Sequence, residues 1–403
     1  MNPTSAAAKA TAPSAAKKVK KVKDKTKEPS GGEVATTKST LDYATMTAKI
    51  AKYVQSCDDN ELGVRKKALV GLHSTLFLDH TMTDEDYSEV FRDICKKVFK
   101  RFADPSEKCR ELAQKITCNF FEQCSDIVPT LGYYFPALMA RVPPGFGYDE
   151  DLKVFVSNLE EHEAYKRGRA VDRQDRTANV GAITHTVVEL SEEIRYLNCL
   201  SLLALIKRVC AIGACPVLHP YFQEIIFFLQ IQLKDPYPEL KVVTCSSLEI
   251  LAQVDDFEQG MKFFAVGLVR SILPVLRHRL AKVRVAGIAA MHACMVVKDR
   301  AKQKASGSEA ISDLVGFRED NVLPIASFYK SEVQINHLAE LVIDKSLPVR
   351  EELVKFLYAL LTEIGDRYDH HTRLLPYVLD LMTDENEGVA NSALATLQKC
   401  GKF

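Results

Sequence analysis

At 403 residues the chain exceeds the roughly 250–300 residues that one hydrophobic core sustains, so it is either several domains or an array of repeats. Its composition, 47% apolar and 26% charged with zero net charge, fits a folded soluble protein, excludes a large single-sign field aimed at one class of partner, and includes no uninterrupted apolar run of about 18 residues that would span a bilayer. Eleven cysteines, scattered among apolar positions with neither CxxC pairs nor histidines at zinc-site spacing, read as reduced core thiols of a cytoplasmic protein.

The opening "MNPTSAAAKATAPSAAKK" lacks a continuous apolar segment, which argues against a secretory signal. Residues 1–40 are rich in Ala, Lys, Ser, Thr and Pro and cannot bury enough surface to offset ordering, so a disordered tail is expected there. Nine lysines stand in it against Asp24, Glu28 and Glu33; the tail is therefore +6 and residues 41–403 are −6. The run "KKVKKVKDKTK", Lys17–Lys27, has the charge of a nuclear-localisation or nucleic-acid patch. It has no interleaved aromatic on which bases would stack, and is read as a solvated arm, with nucleic acid not expected as a partner.

From Leu41 onward apolar residues recur at helical spacing. In "YFQEIIFFLQIQL" the set Phe222, Ile225, Ile226, Leu229 and Leu233 follows one helix face. Asp235 then offers a cap, Pro236 and Pro238 suit a first turn, and Glu239 suits the positive end of the dipole, with Leu240, Val243, Leu248 and Leu251 lining a second helix. The stretch "LKDPYPELK" is thus a tight turn between two antiparallel helices.

That turn recurs. Basic residues stand at its matching place at Arg65, Arg110, Arg195, Lys241, Arg284 and Arg350, with Ala390 last. The intervals are 45, 85, 46, 43, 66 and 40 residues. Most equal one unit of about 40–47 residues, the period of HEAT and armadillo arrays; 85 reads as two units and 66 as one with an insertion. The doubled interval should hide a weak repeat, its first helix in "PTLGYYFPALMARV" and its turn near "GYDEDLKVF". Two mobile insertions are expected, 162–177 and 298–320, both polar and unpatterned. The boundaries follow: a tail over 1–40 and a solenoid over 41–403.

An acid six residues before each basic residue resembles the HEAT repeat. Asp59/Arg65, Asp104/Arg110, Asp235/Lys241 and Asp344/Arg350 match well, Glu189/Arg195 substitutes a longer acid, and His278/Arg284 and Asp384/Ala390 break the pattern. The resemblance implies an all-α fold, a right-handed α-α superhelix in which these residues bond in a ladder between neighbouring repeats. Their coincidence with turns makes the ladder structural rather than a binding site.

Signals for chemistry are weak beside this. Cys118/Cys124 and Cys210/Cys215 could suggest redox pairs, but they lie in apolar helical runs without a basic neighbour and read as core. His370 and His371 are adjacent and point in different directions on a helix, so no metal is expected. GxxxxGK[ST], GxGxxG and GxSxG are absent from the sequence, so neither a cofactor nor catalytic residues are expected.

Beyond the generic repeat, "FADPSEKCRELAQKI", "ELSEEIRYLNCLSLLALI", "LKDPYPELKVVTCSSLEILA", "ILPVLRHRLAKVRVAGIAAM" and "RLLPYVLDLMTDENEGVANSALATLQKCG" resemble, in order and spacing, the HEAT-repeat dynein axonemal assembly factors. That resemblance implies a non-enzymatic cytoplasmic scaffold whose partners are proteins, axonemal dynein chains and co-chaperones, with no small-molecule substrate and no membrane. Members are usually longer, so the chain is expected to be the amino-terminal portion of a larger protein. The rival readings on the same architecture are a nuclear transport receptor, a phosphatase scaffold and a chromatin-associated solenoid.

Overall fold

The computed structural model describes residues 39–142, 147–149, 154–156, 188–296, 310–316 and 335–401. The chain divides into Met1–Thr37 and Lys38–Phe403, and the first unit, where the tail was expected, lies outside the described residues. Ser39 and Thr40, assigned to that tail by composition, belong to the folded unit. As β1 (Ser39–Thr40) they pair in parallel with β2 (His80–Thr81), and Leu41 N–H donates to Thr81 O at 2.9 Å.

Polar residues at the ends of apolar runs start several of the helices. Asp42, Thr83, Ser191, Asn336 and Asn386 each accept an amide from the first turn that follows, satisfying donors that a helix start leaves orphaned. The resulting pairs are α1 (Tyr43–Ser56) with α2 (Leu62–His73), α3 (Asp84–Lys100) with α4 (Glu107–Gln123), and α5 (Val128–Met139) with α6 (Glu192–Ala211). Then come α7 (Phe222–Leu233) with α8 (Pro238–Gln253), and α9 (Glu258–Ile272) with α10 (Ala281–Met295). In the sixth pair, among the described residues, two short helices, α11 (Ile311–Val315) and α12 (His337–Val342), precede α13 (Leu347–Thr362); α14 (His371–Leu381) and α15 (Glu387–Cys400) complete the seventh.

Each second helix packs on the next, in the order α2, α4, α6, α8, α10, α13, α15, whereas the first helices touch less closely. This is an all-α solenoid, and one core cluster runs through it from Met46 to Ala393. Fully burying a large aliphatic or aromatic side chain contributes about 1.5–3 kcal/mol, so adjacent pairs depend on each other for stability. Phe222, Ile225, Ile226, Leu229 and Leu233 are buried as their spacing predicts, and Phe228 and Ile231 are buried as well. Helix α7 is thus buried beyond a single face, with Gln223 left exposed. Asp255–Arg277 has the length and mean hydropathy, 1.3, of a membrane-crossing segment. Its Met261, Phe264, Leu268, Val269 and Ile272 are buried in the solenoid core, which accounts for the hydropathy.

Three expectations are corrected. Asp235 does not cap a helical amide: α8 starts at Pro238, and the Asp235 carboxylate accepts the N–H of Tyr237 at 2.8 Å, two residues on. Pro236 consequently lies in the turn rather than in the helix. The 85-residue interval is one unit and not two, because α4 packs directly on α6 and Arg110 Nε lies 2.7 Å from Glu189 Oε2. Arg141 and Glu189 lie side by side, Glu189 N–H donating to Arg141 O at 3.1 Å. Where a repeat turn was expected, near "GYDEDLKVF", an antiparallel pair forms between β3 (Gly147–Asp149) and β4 (Val154–Val156). Strand β4 lies against α9. The expected insertion at 162–177 lies outside the described residues.

The third correction concerns 298–320. Within it Ala310, Ile311, Leu314 and Val315 are buried at i, i+1, i+4 and i+5, forming α11, which Gly316 ends with φ of 70°. The surrounding lysines, serines and glycines mask this short apolar face in the sequence. The remainder of that insertion, 298–309 and 317–320, lies outside the described residues.

Candidate functional site: the inter-repeat ladder and the surfaces beside it

The basic residues of the turns each do two things. Arg65 Nη1 donates to the carbonyls of Asp59 and Asn60, both at 2.9 Å, holding its own turn. Its Nε reaches forward to Asp104 Oδ2 of the next pair at 2.9 Å. Arg110 repeats this, with Nη1 on Asp104 O at 2.9 Å and the other edge on Glu189. Arg195 holds the carbonyl of Leu190 at 2.8 Å and pairs with Asp235 at 2.5 Å. Arg284 holds His278 O at 2.7 Å and lies 2.7 Å from Asp344. Arg350 holds Asp344 O at 2.7 Å and pairs with Asp384 at 2.6 Å. Every rung therefore joins a basic residue to the acid of the following repeat, while the residue six positions earlier supplies a backbone carbonyl, an acid in four rungs and His278 in that of Arg284. Each acid also accepts the N–H two residues on, as Asp59 does from Glu61 at 2.7 Å and Asp344 from Ser346 at 2.8 Å.

The two positions that break the sequence pattern each retain half of this arrangement. Asp384 accepts Arg350 although Ala390 cannot pass the ladder on. His278 stands in the acid's place, its Nδ1 taking the N–H of Leu280 at 3.2 Å, so Lys241 has no carboxylate ahead and its Nζ donates to Leu233 O instead. Burial lowers the Lys241 pKa, and burial followed by the Lys241 charge lowers that of His278. His278→Asp would give Lys241 a counter-ion and is expected to raise the unfolding free energy by about 1 kcal/mol, read as a higher urea midpoint. An unchanged or lower midpoint would show that the α8–α10 packing already carries that interface.

Two ladder members escaped the sequence reading. Arg101 donates to Asp104 at 3.0 Å and to Asp58 at 3.1 Å, and Arg141 lies 2.9 Å from Glu189. Both come from the end of a first helix or the turn after it. The available signal was a basic residue closing that helix, outside the six-residue motif. Electrostatics follow the contacts. Burial pushes the Asp104 carboxyl up, but hydrogen bonds from Arg65 and the Ser106 amide outweigh it and leave the pKa below the ordinary value. The Arg350 hydrogen bond likewise holds Asp384 down.

All eleven cysteines are free. Burial pushes the Cys118 and Cys124 thiols up to about 12, the reverse of an activated pair. Burial, followed by the Cys215 thiol, raises Cys210 as far, but Cys210 and Cys215 come into contact at 3.7 Å. His370 Nε2 lies 3.3 Å from Asp366, while His371 packs beside the Tyr368 ring. Among the described residues no three His, Cys, Asp or Glu side chains converge as a metal would require. On the row of second helices, burial followed by the charge of Glu352 on α13 raises the pKa of Glu249 on α8. At the turn edge Leu190 is 83% and Ile343 77% exposed, each beside a ladder acid.

The family described as dynein axonemal assembly factor 5-like, TPR repeats, matches residues 56–147, 180–310 and 320–403. The chain belongs to this family. Its repeats here advance by 40–46 residues between consecutive rungs free of insertions, nearer the HEAT period of about 40–47 than the TPR period of about 34. The dynein axonemal assembly factor 5 of Xenopus laevis is 24% identical over 356 residues, covering 88% of this chain and 33% of that protein. The Drosophila melanogaster protein of the same name is 27% identical over 217 residues, covering 53% and 22%. The chain thus spans about a third or less of these relatives. Two designed armadillo repeat proteins align with TM-scores of 0.41, one at 12% identity over 76% of this chain and 99% of its own, the other at 13% over 75% and 98%.

Proposed function

We propose that this chain is a non-enzymatic protein-binding scaffold that works in the cytoplasm in the assembly of axonemal dynein arms, holding dynein chains together with co-chaperones. The observation that carries the reading is the family match over three successive segments, set on a solenoid whose second helices stack without interruption. Stacked helix pairs present a long continuous surface to a partner. Function then consists of holding, and the rungs keep that surface in register by tying each turn to the next.

The test is affinity purification of the tagged full-length protein from the cytosolic extract of a ciliated cell, with mass spectrometry of what stays bound. Axonemal dynein chains recovered with chaperone components are the expected result. Nuclear import cargo, a phosphatase or chromatin proteins in their place would overturn it.

A further inference from the structure

Cys210 lies in the last turn of α6, and Cys215 opens the 3-10 stretch Cys215–Tyr221 that leads into α7. Between them Gly213 takes φ of 67°, a backbone region open to glycine at little cost. Gly213 N–H donates to Cys210 O at 3.2 Å and Ala214 N–H to Val209 O at 2.9 Å. These bonds fold the chain back on the helix end and set the two sulfurs 3.7 Å apart. Among the described residues this is the one thiol–thiol hydrogen bond.

We propose that Cys210 and Cys215 form a modification site, the pair that a peroxide converts into an intrachain disulfide. An S–S bond is about 2.0 Å long, so closure needs an approach of under about 2 Å, which side-chain rotation and the turn at Gly213 supply. Cys210 is the more exposed of the two, Cys215 being buried. The Cys210 thiol gives up its proton, and the thiolate attacks one oxygen of hydrogen peroxide. A sulfenic acid forms there, and the departing hydroxide combines with the released proton as water. The Cys215 sulfur then attacks the sulfenic sulfur, and its proton leaves with the hydroxyl as a second water. Two thiols are oxidised by two electrons and one peroxide is reduced to two waters.

Burial, with the Cys215 thiol as the next cause, pushes Cys210 up to about 12. The thiolate is scarce at neutral pH, and the first step accelerates about tenfold for each unit by which pH rises below that value. The product staples α6 to the segment ending at Tyr221, whose ring stacks on Phe135 of α5 with centroids 4.4 Å apart. The joint between the third and fourth helix pairs is thereby stiffened.

Both cysteines fall on the tryptic peptide 209–234, which makes the test direct. Reduced full-length protein is exposed to millimolar hydrogen peroxide at pH 7.5 and 8.5, alkylated, digested without reductant and analysed by mass spectrometry. The expected product is this peptide two hydrogens lighter and unalkylated at both positions. It should form about tenfold faster at the higher pH and raise the thermal midpoint by about 2–4 °C. In Cys210→Ser, Cys215 stays alkylatable. Accumulation of sulfinic acid at Cys210, or pairing of either cysteine with another partner, would overturn the proposal.

Discussion

Asp104→Ala is expected to lower the unfolding free energy by about 3–5 kcal/mol, the cost of stripping a buried charge network of one sign. The Asp104 side chain is fully buried and receives Arg65 at 2.9 Å, Arg101 at 3.0 Å and the Ser106 amide at 2.9 Å. Its removal leaves two guanidiniums, each 10% exposed, facing an uncharged gap, and Arg101 alone keeps another acid, Asp58. Asp104→Asn preserves volume and one acceptor and should cost less. The same rung carries a pH dependence. The Asp104 carboxyl sits below its ordinary value when folded, so its contribution is complete above the unfolded value near 4 and is lost as pH falls through the folded value. The alanine variant should therefore show a flatter loss of stability than the parent as pH falls below about 4. Urea unfolding followed by circular dichroism reads both effects, and a cost under about 1 kcal/mol would show that the rung breaks even against its desolvation.

The ladder was legible in the sequence because a turn imposes fixed spacing: six residues is the reach from an acid at the turn to the first basic residue whose guanidinium can return to the turn carbonyls. What spacing cannot encode is the direction of the other edge. Arg65 meets Asp104 and not Asp59 because the carboxylate of Asp59 is turned to the amide of Glu61. The same limitation produced the misreading of the 85-residue interval. The packing of α4 on α6 and the pairing of Arg110 with Glu189, 79 residues on, show that the interval is one unit. Helix α11 was hidden for a different reason, since four apolar residues among lysines and glycines give no period to read. Tertiary burial, not local propensity, makes it a helix.

Phe120→Ala should cost about 3–5 kcal/mol, comparable to the loss of a rung but through packing rather than charge. Phe120 is completely buried in α4. Its ring stacks on Phe91 of α3 at 4.4 Å and meets the edge of Phe77, which follows α2, at 5.0 Å. Phe91 in turn contacts Phe99 and Phe121. One side chain therefore fastens the first helix pair to the second, and each well-placed ring pair adds about 0.5–1.5 kcal/mol beyond the area it buries. In an array whose pairs stabilise their neighbours, the cavity should loosen α1 and α2 together with α4. Amide exchange should therefore quicken across all three helices while α13 and α15 remain as protected as before. Leu78→Ala, 57% exposed on the segment after α2, is the matched control and should stay within about 0.5 kcal/mol of the parent. If the two variants unfolded alike, the aromatic cluster would not be what joins the first two pairs.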